Sequence, residues 1–127
     1  MTDPISDFFI RIKNAQKAGH ETVQIPYSRF KHEIARALER SGFVGKAEKK
    51  GRRVRVLELT LLYHNRVPLL RDVKLFSTPS RRLYTSYRTI PSASRGGAIL
   101  LTTPKGVLNN KEARKEKVGG QLLVEIW

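Results

Sequence analysis

Apolar residues in this chain follow two different periods. Ile5, Phe8, Phe9, Ile12 and Ala15 recur at intervals of three and four, which lays one stripe along a helix. Leu57, Leu59, Leu61 and Tyr63 recur at intervals of two, which loads one face of a strand. A chain with both must pack helix stripes on sheet faces, so the expected class is α+β. With 127 residues and 39% hydrophobic side chains it can bury a core, as one domain or as two small lobes.

Turn and capping residues divide the chain. Asp3 followed by Pro4 reads as a helix start, and Gly19-His20 as its end. Arg11, Asn14 and Lys17 fall off the apolar stripe and should face solvent or a ligand. Thr22 to Ile25 alternates as a short strand that Pro26 breaks. Ser28 can cap a second helix with Phe30, Ile34, Ala37 and Leu38 on its apolar side, and Ser41-Gly42 closes it. A hairpin follows: Phe43 to Ala47, a turn at Lys49-Lys50-Gly51, then Arg52 to Tyr63. Val54 and Val56 share one face but Leu57, Leu59 and Leu61 the other, which predicts a bulge or strong twist near Val56-Leu57.

His64 to Pro68 reads as the connection between lobes. The expected division is residues 1–66, a helix-strand-helix-hairpin lobe, and residues 67–127, a mostly-β lobe with one short helix. Strands are expected near 73–76, 82–87, 97–103 and 121–126. The helix should run from Asn109 to Val118, with Asn109 and Glu112 spaced as a capping box and Gly119-Gly120 as its terminator.

Charge bounds the partner. The formal net charge is +14, and the isoelectric point is about 10.7, the footprint of a nucleic-acid binder. Residues 1–64 carry 13 basic and 7 acidic side chains, and residues 65–127 carry 12 and 4. The excess therefore belongs to the folded body and not to a basic arm. From Val73 to Asn110 there is no acidic residue, while Lys74, Arg81, Arg82, Arg88, Arg95 and Lys105 punctuate the stretch. Cations, hydroxyls and the rings of Tyr84 and Tyr87, without competing carboxylates, suit structured RNA.

Other classes find less support. The absence of cysteine excludes disulfides, thiolate zinc sites and cysteine nucleophiles. The opening residues carry no signal or transit pattern, and no run reaches the 18 or so apolar residues of a membrane span. His20, His32 and His64 with Asp7, Glu33 and Glu58 form no metal-ligand spacing and no nucleophile–base pair. No catalytic residue, cofactor or metal is expected.

Several residues carry a binding reading beside a plainer one. Thr102 and Thr103 can bond a ribose 2′-OH or a base edge, with Pro104 holding the loop open, Gly106 allowing close approach and Lys105 reaching a phosphate; the same residues can form an ordinary turn. Tyr84 and Tyr87 are expected on opposite faces of a strand, one buried and one exposed. Gly119-Gly120 can offer backbone N–H groups to RNA, or simply end a helix. Lys49, Lys50, Lys31 and Arg11 are candidate phosphate contacts or solvated charges.

The order of these segments is similar to one family. Gly97 to Leu108, Asn109-Asn110-Lys111-Glu112-Ala113-Arg114, Gly119-Gly120 and a final Trp127 resemble small-subunit ribosomal protein eight of the bacterial type. Asp3-Pro4, Arg11 to Ala15, Ile25 to Lys31, Ser77-Thr78-Pro79 and Arg82-Leu83-Tyr84 agree with it, so the resemblance runs nearly end to end. It implies a two-lobed α+β protein of the ribosome's small subunit that binds the central domain of the ribosomal RNA and helps organise the platform. It also implies contact with small-subunit proteins five and twelve, with no membrane or DNA partner, and a bacterial cytoplasmic or organellar ribosome. Pro79, Ser80, Arg82, Tyr84 and Gln121 join the candidate RNA contacts on this ground. Three positions depart from the family pattern: Pro104 replaces a hydroxyl residue, Ser80 a glycine and Gln121 a glutamate. A non-specific RNA chaperone is the competing reading.

Overall fold

Asp3 caps the first helix, α1 (Pro4–Lys17), by accepting the Ile5 N–H at 3.1 Å, with Pro4 in the first turn. The computed structural model describes residues 3–78 and 80–127, and the chain divides into two compact units, Met1–Leu70 and Arg71–Trp127.

In the first unit the helical period buries Phe8, Phe9, Ile12 and Ala15. Phe8 and Phe9 meet edge to face, 5.1 Å between centroids. Strand β1 (Thr22–Pro26) leads to helix α2 (Arg29–Arg40), where the Ser28 hydroxyl accepts the Lys31 N–H at 3.1 Å. Ile34, Ala35, Ala37 and Leu38 are buried on α2, whereas Phe30, in its first turn, remains 37% exposed. Strands β2 (Val44–Lys50) and β3 (Val56–Leu61) complete an antiparallel sheet of order β1-β3-β2. Helix α2 packs on β2 and β3, and α1 against β1.

The hairpin differs from the expectation in where its irregularity lies. Val54 belongs to the turn and is 80% exposed, so β3 keeps one parity, with Leu57, Leu59 and Leu61 buried. The register slips on the facing strand: Val44 pairs Leu61 and Ala47 pairs Leu59, leaving Gly45 and Lys46 opposite Thr60. A side chain on Gly45 would stand 3.0 Å from the Thr60 Cβ, which explains a glycine at the bulge.

The stretch read as a connection is itself a small hairpin, β4 (Tyr63–His64) against β5 (Val67–Pro68). Asn65 and Arg66 both take positive φ, 51° and 66°, as a two-residue turn of matching twist requires.

In the second unit, strands β6 (Val73–Leu75), β7 (Leu83–Thr85), β8 (Ala98–Thr103), β9 (Gly106–Asn109) and β10 (Gly120–Ile126) form one antiparallel sheet. Strand β10 is its spine. One edge pairs β8, while the other pairs β7 through residues 120–122 and β6 through 124–126. Strand β9 was not foreseen because its four residues are too few to display a period. Helix α3 (Asn110–Glu116) carries the predicted capping box: the Glu112 N–H reaches Asn109 Oδ1 at 2.8 Å, and the Asn109 N–H reaches Glu112 Oε1 at 2.9 Å.

Two further expectations are corrected here. Lys117, not a glycine, takes the left-handed conformation that ends α3, with φ 56°. Gly119 and Gly120 instead lead into β10. The strand expected over 82–87 stops at Thr85, and a 3-10 turn covers Tyr87–Thr89.

Candidate nucleic-acid interface

Residues paired across antiparallel strands point to the same side of a sheet. Leu83, Leu122, Leu101 and Leu108 form one such row across β7, β10, β8 and β9. Ile90, Ile99 and Ala113 pack with them, joined by Phe76, Tyr87, Ala93 and Val118. The adjacent row, on the opposite face, reads Tyr84, Gln121, Thr102 and Val107. The leucine row is thus the floor beneath Tyr84, Gln121 and Thr102. Tyr84 is 70% exposed and Tyr87 is half-buried against the core. The expected division of the tyrosines holds, for a different reason: the strand ends between them.

Two inter-strand spacings separate Tyr84 from Thr102, about 10 Å, with Gln121 between them. Gly119 and Gly120 make that spacing possible. A Cβ on Gly119 would overlap the Thr85 carbonyl oxygen and crowd Ser86, and one on Gly120 would overlap the Thr102 carbonyl. Neither glycine has positive φ. What they supply is close approach of backbones on both sides of β10.

The two threonines have different duties. The Thr103 hydroxyl donates to the Gly106 carbonyl at 2.8 Å and accepts the Lys105 N–H at 3.1 Å, so it closes the β8–β9 turn. Gly106 takes φ 105°, which a side chain would resist. One acceptor position of Thr103 remains for a ligand. Thr102 lies on the face of Gln121 and Tyr84, and its hydroxyl makes no hydrogen bond among the described residues. Pro104 and Lys105 are exposed at the tip of the turn.

The turn before β7 is anchored from beneath. The buried Ser77 hydroxyl donates to the Leu122 carbonyl and accepts the Leu83 N–H at 3.0 Å. Thr78 and Arg81 close the turn through paired backbone bonds of 2.8 and 3.1 Å. Pro79 lies outside the described residues. Ser80 and Arg82 are exposed, and Ser80 Oγ lies 3.3 Å from Thr78 Oγ1. Ser77→Ala leaves a buried donor and acceptor without this bridge, so it should cost about 1–3 kcal/mol of stability. Urea unfolding checks this, and an unchanged midpoint would remove the anchoring role.

The expected phosphate contacts are not all unengaged charges. Lys105 Nζ pairs with Glu116 Oε2 at 2.8 Å, which holds the Glu116 carboxyl below its usual range. Lys50 Nζ pairs with Glu58 Oε1 at 2.8 Å; that hydrogen bond raises the lysine's pKa and lowers the glutamate's. Arg11 pairs with Asp7 at 3.0 Å, one helical turn away. Lys49 Nζ stands 4.6 Å from the centre of the Tyr27 ring. Asn14 is exposed on α1, and Lys31 is half-buried at the start of α2. Arg11, Asn14, Lys31, Lys49 and Lys50 belong to the first unit, whereas Ser80, Arg82, Tyr84, Thr102 to Gly106 and Gly119 to Gln121 belong to the second. An exposed lysine–carboxylate pair is readily exchanged for a phosphate, because both groups remain in water.

Sequence reasoning missed one feature beside Tyr84. Thr85 Oγ1 and Ser86 Oγ both contact Thr89 Oγ1, at 2.9 and 3.1 Å, forming a surface hydroxyl cluster. The density of hydroxyl residues within the acid-free segment was the available signal. A strand-only reading through residue 87 dispersed it.

Comparison with known proteins agrees with this architecture. Residues 3–127 match the family Ribosomal protein S8. The chain is 40% identical over 129 residues to the small ribosomal subunit protein uS8 of Dictyoglomus turgidum, covering 100% of this chain and 98% of that protein. It is likewise 40% identical over 141 residues to the uS8 protein of Thermus aquaticus, covering 100% and 99%. The uS8 protein of Synechococcus sp. (strain RCC307) is 40% identical over 130 residues, covering 99% and 98%. Because the likeness spans both units from end to end, the chain belongs to the ribosomal protein S8 family.

Proposed function

We propose that this chain is a structural component of the small ribosomal subunit that binds the central domain of the subunit's RNA and helps assemble the platform. The observation that carries the reading is the row of Tyr84, Gln121 and Thr102 across three strands, bordered by Arg82 and Lys105 and lacking any acidic side chain on those strands near it. In this reading the Tyr84 ring stacks on an unpaired base, while Gln121 and the Thr102 hydroxyl meet base edges or a ribose 2′-OH. Cations contribute reach and rate, and the hydroxyl, amide and ring contribute choice. The neighbours in the subunit are small-subunit ribosomal proteins five and twelve, by family resemblance. Since the family is structural, the chain is not an enzyme.

The test is binding to a central-domain RNA fragment and to a scrambled helix of equal length at about 0.15 M salt. A preference under tenfold, about 1.4 kcal/mol, would leave a non-specific RNA chaperone as the better account. Tyr84→Ala should weaken the cognate complex by about 1–3 kcal/mol. Thr102→Ala should weaken the cognate complex more than the scrambled one, and Lys105→Ala should weaken both alike. Equal losses from the Thr102 change would remove that hydroxyl from recognition.

A further inference from the structure

The β2–β3 turn concentrates charge that the row of Tyr84, Gln121 and Thr102 does not use. Lys49, Lys50, Arg52, Arg53 and Arg55 lie within seven residues, and all are exposed. The two lysines are engaged at the base of the tip, one over Tyr27 and one with Glu58. Arg52, Arg53 and Arg55 have no carboxylate partner among the described residues. We propose that this tip is a separate RNA-contacting element of the first unit, in which the three arginines grip phosphates of structured RNA. The proposal rests on the RNA-binding reading above and adds a site to it.

The turn is built to hold those guanidiniums outward. Gly51 takes φ 97° and packs directly on the Val54 carbonyl, which any side chain there would strike. The Tyr27 N–H donates to the Arg55 carbonyl at 3.3 Å and ties the end of the turn to the residue after β1. Arginine's planar fork matches phosphate oxygens bidentately, and a preset turn reduces the entropy lost on binding. Val54 is the one apolar side chain in the turn, too little for the apolar centre of a protein interface. The wide, shallow minor groove of an RNA helix, flanked by phosphates, accepts such a finger without base readout.

The chain has no cysteine, so Val54→Cys places a single hydroxyl-radical probe at the tip. Pro104→Cys does the same at the exposed tip of the β8–β9 turn, two residues beyond Thr102. Both probed proteins are bound to full-length small-subunit RNA. Cleavage from both positions is expected. Cleavage from residue 104 but not from residue 54 overturns this proposal and leaves the RNA-binding reading standing; cleavage from neither overturns that reading itself. A combined Arg52→Ser, Arg53→Ser and Arg55→Ser variant should make the log–log salt slope of binding less negative by about 2 to 3, and the same three positions as lysine should restore it. An unchanged slope overturns the proposal. So does a variant that loses binding to phosphatidylserine vesicles while keeping the wild-type RNA slope.

Discussion

Gly120→Ala is expected to destabilise the second unit by about 3 kcal/mol or more, at the upper end of overpacking costs. The added methyl would overlap the Thr102 carbonyl oxygen and approach the Thr103 Cα, and these are backbone atoms that no rotamer change can move aside. Relief requires β8 and β10 to separate where Thr102 pairs with Gln121. The RNA preference should therefore fall together with stability. Trp127 is the sole tryptophan and lies in the second unit, so its fluorescence during urea unfolding reports this event. Gly19→Ala is the comparison. Gly19 has φ 71° but open space around it, so alanine there costs about 1–2 kcal/mol of left-handed strain. If the Gly120 change costs no more than the Gly19 change, close backbone approach is not what holds position 120.

Leu101→Ala should cost about 2–5 kcal/mol, the range for emptying a fully buried leucine site. Leu101 pairs with Leu122 on one side and Leu108 on the other, directly behind the row that presents Thr102. Its loss leaves a cavity flanked by Ile99, Ala113 and Leu122. Recognition should suffer through unfolding and not through a lost contact. Saturating central-domain RNA should accordingly recover part of the lost stability, since a ligand of the folded state shifts the equilibrium toward it. A loss under about 1 kcal/mol would mean that the leucine row is not the second unit's core.

The local signals in the sequence were strong wherever one residue dictates its own neighbourhood. Asp3, Ser28 and Asn109 all cap helices as their positions imply, because a cap needs only a side-chain oxygen and the N–H two or three residues on. The stripe of α1 and the alternation of β3 were equally legible. Boundaries were harder to read. The end of α3 at Lys117, the 3-10 turn at Tyr87 and the short strand β9 depend on how distant segments pair, and no local residue announces them.

The candidate interface divides in the same manner. An acid-free basic stretch, two adjacent threonines and a pair of glycines are visible in one dimension and suffice to suggest RNA. Which threonine faces a ligand is not visible. Strand alternation sends Thr102 and Thr103 to opposite faces, and the turn takes the Thr103 hydroxyl for itself. Lys105 and Lys50 look equally available until folding brings Glu116 and Glu58 within hydrogen-bond reach.

Composition and periodicity alone determined that this chain makes helices packed on sheets and carries its cationic charge on a folded body, since both follow from side-chain chemistry at short range. Tertiary structure decided that Tyr84, Gln121 and Thr102 become neighbours. Their spacing depends on the register of three strands, which is set by backbone pairing and by the close approach that two glycines permit.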